Sequence, residues 1–407
     1  MAAADAAGIA REAREGALGL IRQGSVGRAR AILMEGLASV RAHATGDADE
    51  TLLLAALVQL AAVELTERSL ELALYEIGRA TTRSPAVARL ESLARVALLA
   101  LRGDSDRALA MADVLGRVED PELEALRQGA RAMAARTGRL EREEQVLRDV
   151  EVWARDNDAP LVRCKLRQWQ GWAAYTRGEY DEAVALLEDA LELAIDPRTR
   201  MAALNSLAEA CVEAGHYDRA FAAAAEARAL AAQYRHPFHE AWAEAVLRFA
   251  AYRTDRADGV DEELVKAAAE LGHTSLEAQV NLNEGAVAWR RGDIATAQRL
   301  IRNAHRLWRD VGNLPGALLT RAFLLALGEE TDAATVARLH EHARESDKPG
   351  VALQTLGLLV LGAPPHAAAV ADAARRLAAR IPPRYRNIRR EVASVAECLR
   401  WIDEAMS

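Results

Sequence analysis

The chain has 407 residues, of which 51% are hydrophobic, 28% charged and only 4% aromatic. With 11 Pro and 25 Gly among abundant Ala, Leu, Glu and Arg, it has the composition of a folded helical protein. A net charge of −8 gives no electrostatic reason to expect nucleic acid or an anionic membrane as a partner.

The N-terminal stretch "MAAADAAGIAREAREGALGL" lacks a basic start leading into an apolar core, and Asp5, Arg11, Glu12 and Arg14 interrupt it. It is therefore not expected to act as a secretory signal. The greasiest segment, "LLLAALVQLAAVEL" from Leu52 to Leu65, is shorter than the ~20 residues a membrane span needs. A helix apolar all round is predicted to lie buried between neighbours.

From there the chain repeats itself. Gly178, Tyr180, Ala183 and Ala190 set a template that Gly215, Tyr217, Ala220 and Ala227 match, as do Gly292, Ile294, Ala297 and Ala304. Weaker copies start at Gly24, Gly103 and Gly138, and degenerate ones centre on Arg68, Asp255, Gly328 and Gly362. The marks recur every 34 to 44 residues over the whole chain, which is the signature of a repeat architecture. Each period predicts a helix before the glycine and another after it. In "MAALNSLAEACVEAG", Leu204, Leu207, Ala208 and Cys211 fall on one helix face. The glycine supplies the left-handed or tight turn. Small Ala residues let the paired helices approach closely. "IDPRT", "RHPF", "VGNLPG" and "SDKPG" read as loops between units.

At the C-terminus, Ile388, Val392, Val395, Leu399 and Ile402 are spaced as one helical seam. Residues 385–407 are thus predicted to cap the open end of a solenoid occupying residues 1–384. Residues 371–390 carry seven Arg against one Asp. Within them Arg384, Arg386, Arg389 and Arg390 form a candidate basic docking patch for an acidic or phosphate-bearing partner.

Catalytic signals are poor. The sequence has no Gly-rich phosphate loop, no nucleophile elbow and no His-Glu-x-x-His zinc motif. Cys164, Cys211 and Cys398 are too far apart for a disulfide framework or a zinc spacing, which suits a reducing cytoplasm. "HPFHE" offers His236, His239 and Glu240 but no convergent further ligand, so a polar loop between repeats is expected there. His340 and His342 lie two apart, about 200° round a helix, and cannot share a ligand face. No catalytic residue, no metal and no cofactor is expected.

The template resembles the tetratricopeptide repeat. Gly171, Gly178, Tyr180, Ala183 and Ala190 fill that family's positions 8, 15, 17, 20 and 27. Ala208, Gly215, Tyr217, Ala220 and Ala227 fill the same places in the next unit, and Gly285, Gly292, Ala297 and Ala304 fill four of them in a third. The match is best over residues 160–320. The long units resemble those of bacterial signalling and transcription regulators, without their catalytic domains. The resemblance implies an all-α, right-handed superhelical solenoid of about ten helix pairs. A less regular solenoid of HEAT type is the related alternative.

It also implies a concave groove lined by positions 2, 5, 6, 9, 12 and 13 of each first helix. Trp169, Trp172, Tyr175, Trp242, Phe249, Tyr252 and Trp289 fall at such positions, with Lys165, Gln168, Asn205, Glu209, Gln279, Asn283 and Arg290 at neighbouring ones. Large aromatics ringed by polar groups are the usual make-up of a binding hot spot. The alternative is that these rings fill space between adjacent first helices. The family's carboxylate-binding pattern is absent, since Gln168, Trp172, Ser206, Trp242 and Val246 stand at its key places. Recognition of a free peptide C-terminus is therefore not expected. The leading functional expectation is a non-catalytic cytoplasmic scaffold that binds a peptide or protein partner in the groove. The alternative is a sensor that binds a small-molecule effector there.

Overall fold

The structure, a computed structural model, describes residues 2–22, 26–43, 47–64, 67–102, 104–118, 121–135, 140–157, 160–330, 332–346, 349–389 and 392–407. Gly24, Gly103, Gly138 and Arg390 lie outside the described residues. The described residues form twenty-one α-helices and no β-strand. One isolated antiparallel bridge pairs Arg389 with Ser394. No described helix is long and apolar enough to cross a membrane.

The chain divides into two compact units. The first comprises Met1–Trp169, Asp189–Ala203 and Leu230–His236. Its helices include α1 (Ala2–Arg22), α2 (Val26–Ala42), α3 (Asp47–Glu64), α4 (Glu67–Gly78), α5 (Pro85–Leu101), α6 (Ser105–Leu115), α7 (Pro121–Ala135) and α8 (Leu140–Asp156). Helix α3 meets α1, α2, α4 and α5, and α5 meets α6 and α7. Each first helix therefore packs on its own partner and on the next first helix, the arrangement of stacked helical repeats. The apolar stretch lies in α3 from Leu52 to Glu64, Leu65 being outside the described residues, and Leu53, Leu54, Leu57 and Leu60 are buried in the core with Leu33, Leu37, Leu70, Leu90 and Leu93.

The second unit comprises Gln170–Glu188, Leu204–Ala229 and Pro237–Ser407. Helices α9 (Pro160–Arg177), α10 (Tyr180–Glu192), α11 (Pro197–Ala214) and α12 (Tyr217–Tyr234) contribute to both units. They are followed by α13 (Pro237–Arg253), α14 (Glu262–Glu270), α15 (Thr274–Arg290), α16 (Ile294–Asp310), α17 (Leu314–Ala326), α18 (Ala333–Glu345), α19 (Pro349–Gly362), α20 (Ala367–Ala379) and α21 (Val395–Met406).

The template residues act as the spacing predicts. Gly178, Gly215, Gly292 and Gly328 end first helices with positive φ. At the degenerate mark Asp255 takes the same left-handed turn, φ 57°, a conformation an Asp tolerates better than most side chains. Gly285 in α15 has no room for a Cβ, which would lie 2.6 Å from Ile301 Cδ1 of α16. Pro197, Pro237 and Pro349 stand first in their helices, where a missing N–H costs nothing.

Two expectations need correction. "HPFHE" is not a polar loop: Pro237 opens α13, and His239 is buried within that helix. The C-terminal helix does not begin near residue 385. Ser394 and Glu397 form a capping box that starts α21 at Val395, so Ile388 and Val392 are not part of its face. Val395, Cys398 and Ile402 are its buried positions. A short 3₁₀ turn at Pro383–Tyr385 and an irregular segment precede it.

Candidate functional site: the ends of the first helices

In the first unit, Lys165 Nζ donates to Gln168 Oε1 at 3.1 Å, and Gln168 is buried. Burial, with Arg198 nearby, pushes the Lys165 ammonium down to about 8. Trp169 leans on α7, where a Cβ at Gly129 would lie 3.4 Å from its ring.

In the second unit the polar groove candidates bond one another. Asn205 Nδ2 donates to the His239 carbonyl at 3.3 Å. Trp242 Nε1 donates to Glu209 Oε1 at 2.7 Å, and Gln279 Nε2 to Asn283 Oδ1 at 2.9 Å. Phe238, His239, Trp242 and His273 form a ring cluster with centroids 4.6 to 5.8 Å apart.

The residues at the C-terminal ends of the first helices behave differently. A run of edge-on rings leads from Trp172 to Tyr175 (5.0 Å), to Tyr180 (5.8 Å), and on to Tyr385 (4.8 Å). Tyr175 Oη donates to Glu213 Oε1 at 3.4 Å. Glu213 is ion-paired with Arg253, and both side chains are within 1% of complete burial. The Arg253 guanidinium lies 4.2 Å over the Phe249 ring.

Across these ends runs the segment between α20 and α21. Tyr385, 2% exposed, meets Tyr180, and Arg384 pairs with Asp181 at 2.7 Å. Ile388 lies on Gly215, where a Cβ would approach within 3.0 Å. Gly215 therefore serves twice, with φ 79° for the turn and no side chain beneath the segment. Arg389 donates to the Tyr252 carbonyl at 3.0 Å and to Asp255 Oδ1 at 2.7 Å. That hydrogen bond holds the Asp255 carboxyl below its ordinary value. The Val392 carbonyl accepts from Tyr252 Oη at 2.9 Å and from Arg290 Nη2 at 3.1 Å. Arg290 also reaches Glu397 at 2.9 Å. Gln354 Oε1 accepts from the amides of Val392 and Ala393 at 2.8 and 3.2 Å. Trp289 sits 6.0 Å from Trp401 and 5.1 Å from Phe323.

Of the predicted patch, Arg384 and Arg389 thus face acidic groups of the same unit, and Arg386 donates to the Ile381 carbonyl at 3.2 Å. Of the predicted groove, Tyr175, Tyr252 and Arg290 are drawn into one connected set. Sequence reasoning missed Tyr180, Glu213, Arg253, Asp255 and Gln354. Glu213 and Arg253 stand in the same register as Arg290, immediately before the turn of each unit, and that recurrence was the available signal. No group of three or more metal-ligating side chains converges among the described residues. Burial raises the thiols of Cys164 and Cys211 to about 11 and 12, so neither is poised as a nucleophile.

Helices paired and stacked on both a partner and the next first helix define an all-α helical-repeat protein. No protein-family model matches the chain, and no curated protein matches it. Among solved structures, a Rap protein complexed with competence and sporulation factor aligns over 73% of this chain and 92% of its own, at 14% identity and TM-score 0.48. Aspartyl phosphate phosphatase F from Bacillus subtilis aligns over 98% of this chain and 94% of its own, at 13% identity and TM-score 0.40. A signal transduction ATPase with a tetratricopeptide repeat sensor, from Pyrococcus horikoshii, aligns over 82% of this chain and 49% of its own, at 13% identity and TM-score 0.38.

Proposed function

We propose that the chain is a non-catalytic interaction scaffold that holds a peptide, or a non-helical segment of a partner protein, along the C-terminal ends of its first helices. One observation supports this reading above the others. The chain's own residues 384–389 and 392–393 lie there as a peptide would, held by Tyr252, Arg290 and Gln354 through backbone groups of Val392. Side chains that bond a carbonyl or an amide hold a peptide whatever its sequence, while pockets for selected side chains add specificity. Tyr180 and Asp255 play the second part, taking a ring and a guanidinium. Trp172 and Tyr175 extend the aromatic surface beside Tyr180.

The test is selection from a random library of about 15-residue peptides against the full chain. Binders are expected, and Tyr252→Phe and Arg290→Ala should weaken them at least tenfold, about 1.4 kcal/mol. A library that returns no binder, together with a metabolite that raises the melting temperature, would replace the scaffold with a small-molecule sensor.

A further inference from the structure

We infer that residues 383–389 are an intramolecular competitor for the partner, and that the partner segment they mimic is basic and aromatic; this rests on the scaffold reading. The segment has the contacts of a ligand rather than of a core element. Among its described residues only Tyr385 is deeply buried. Ile388 is half-buried, and Pro383, Arg384 and Asn387 are exposed. Each of its ion pairs has a member open to water: the Asp255 side chain is 75% exposed, against 17% for Arg389, and that of Arg384 65%, against 46% for Asp181. Exposed pairs of this kind contribute little to holding a segment down.

The two ends, by contrast, are fixed. Ile381 is buried, and Val392 and Ala393 are buried and bonded to Gln354. The segment can therefore lift from its track while staying tethered. Tethering keeps its effective concentration near its site in the millimolar range for a short linker, so weak contacts suffice to keep it seated. A partner must displace it. If the site is open about 1% of the time, the partner's apparent affinity falls about 100-fold.

The receiving side specifies the mimic. Tyr180 offers an aromatic edge, Asp181 and Asp255 offer carboxylates, and the Tyr252 carbonyl accepts beside Asp255. The fitting partner segment carries an aromatic residue and an arginine four positions on, as Tyr385 and Arg389 do. A net-acidic chain with acidic groups along this track favours such a basic segment over an acidic one.

A fluorescein-labelled peptide with the sequence of residues 382–395 tests this by anisotropy against the full chain. Arg389→Glu sets two carboxylates against each other and loosens the segment, while leaving Tyr180, Tyr252, Asp255 and Arg290 in place. The labelled peptide should bind this variant at least tenfold more tightly than the wild type. Should Arg389→Glu misfold, Arg384→Glu, which sets a carboxylate against Asp181, must show the same gain. In the wild type, excess peptide should speed hydrogen exchange at the Ile388 and Arg389 amides. Equal binding to the wild type and the variants, or no binding to any of them, overturns the competitor. A library-selected peptide that binds the wild type and Arg389→Glu equally leaves the scaffold standing and removes the competitor alone. Failure of the library together with no binding of the labelled peptide to any of the chains removes the scaffold reading and the competitor with it.

Discussion

Tyr252 Oη donates to the carbonyl oxygen of Val392 at 2.9 Å, joining the end of α13 to a residue 140 positions later. Tyr252 is 3% exposed, so its hydroxyl has little water to turn to. Burial raises its pKa, against the opposing pull of Arg290. The Val392 carbonyl has a second donor in Arg290. The hydroxyl also accepts from Arg290 Nε at 3.3 Å, so Tyr252→Phe should cost about 1–3 kcal/mol, the net worth of two hydrogen bonds, with the fold retained. Chemical denaturation measures it, and an unchanged midpoint would show that the hydroxyl contributes nothing to stability.

The Glu213–Arg253 pair should be far more sensitive to loss of one partner. Both side chains are out of water, so removing either strands a buried charge. Glu213→Ala or Arg253→Ala alone should cost about 3–5 kcal/mol. Replacing both with Leu and Met should cost much less than the sum of the single changes. Additive losses in the denaturation midpoints would mean the pair is not coupled.

Contact between Arg389 and Asp255 should fade in acid. The hydrogen bond from Arg389 lowers the native carboxyl below its unfolded value near 3.8. A depressed carboxyl stabilises the native state above the unfolded pKa and loses that contribution as pH falls through the native one. The difference in melting temperature between wild type and Asp255→Asn should therefore be full at pH 5–7 and shrink as pH falls below about 4. Because the pair is exposed, the difference should also shrink at about 1 M salt. A difference that is independent of pH would exclude the ion pair as its source.

Lys165 also has a lowered native pKa, but there burial disfavours the charged form and so costs stability. Its ammonium is pushed down to about 8, so between that value and its ordinary 10.5 the unfolded chain binds more protons than the native one. Stability from this group should rise with pH across that window. Lys165→Met should stabilise the chain at pH 7, and the gain should diminish from pH 8 to 10.5. Equal melting of the two chains at pH 7 would mean the ammonium sits in water.

Close helix approach makes the small template residues intolerant of growth. Ala220 is fully buried, and a Cβ on Gly171 would lie 2.8 Å from Leu187 Cγ and 3.3 Å from the Ala183 carbonyl. Ala220→Leu and Gly171→Ala should each cost about 1–3 kcal/mol through overpacking. A melting temperature unchanged by Ala220→Leu would place that residue on an open face.

How much of this was legible follows from the range of the forces involved. Helix pairs, their turns and their small contact residues are local matters, set within some forty residues by side-chain periodicity and by the few residues that accept a left-handed turn. Gly178, Gly215 and Gly292 could be read for that reason. Ile388 and Val392 could not, because their spacing fits a helix as well as it fits the segment that crosses the first-helix ends. What decided between them was a capping box at Ser394 and Glu397, together with partners such as Tyr180, Gly215, Tyr252 and Gln354 that only the folded chain brings near. The rings of Tyr175 and Tyr252 were legible as aromatics on a helix end. That the chain's own backbone covers Tyr252 was set by contacts across 140 residues, which no local pattern encodes.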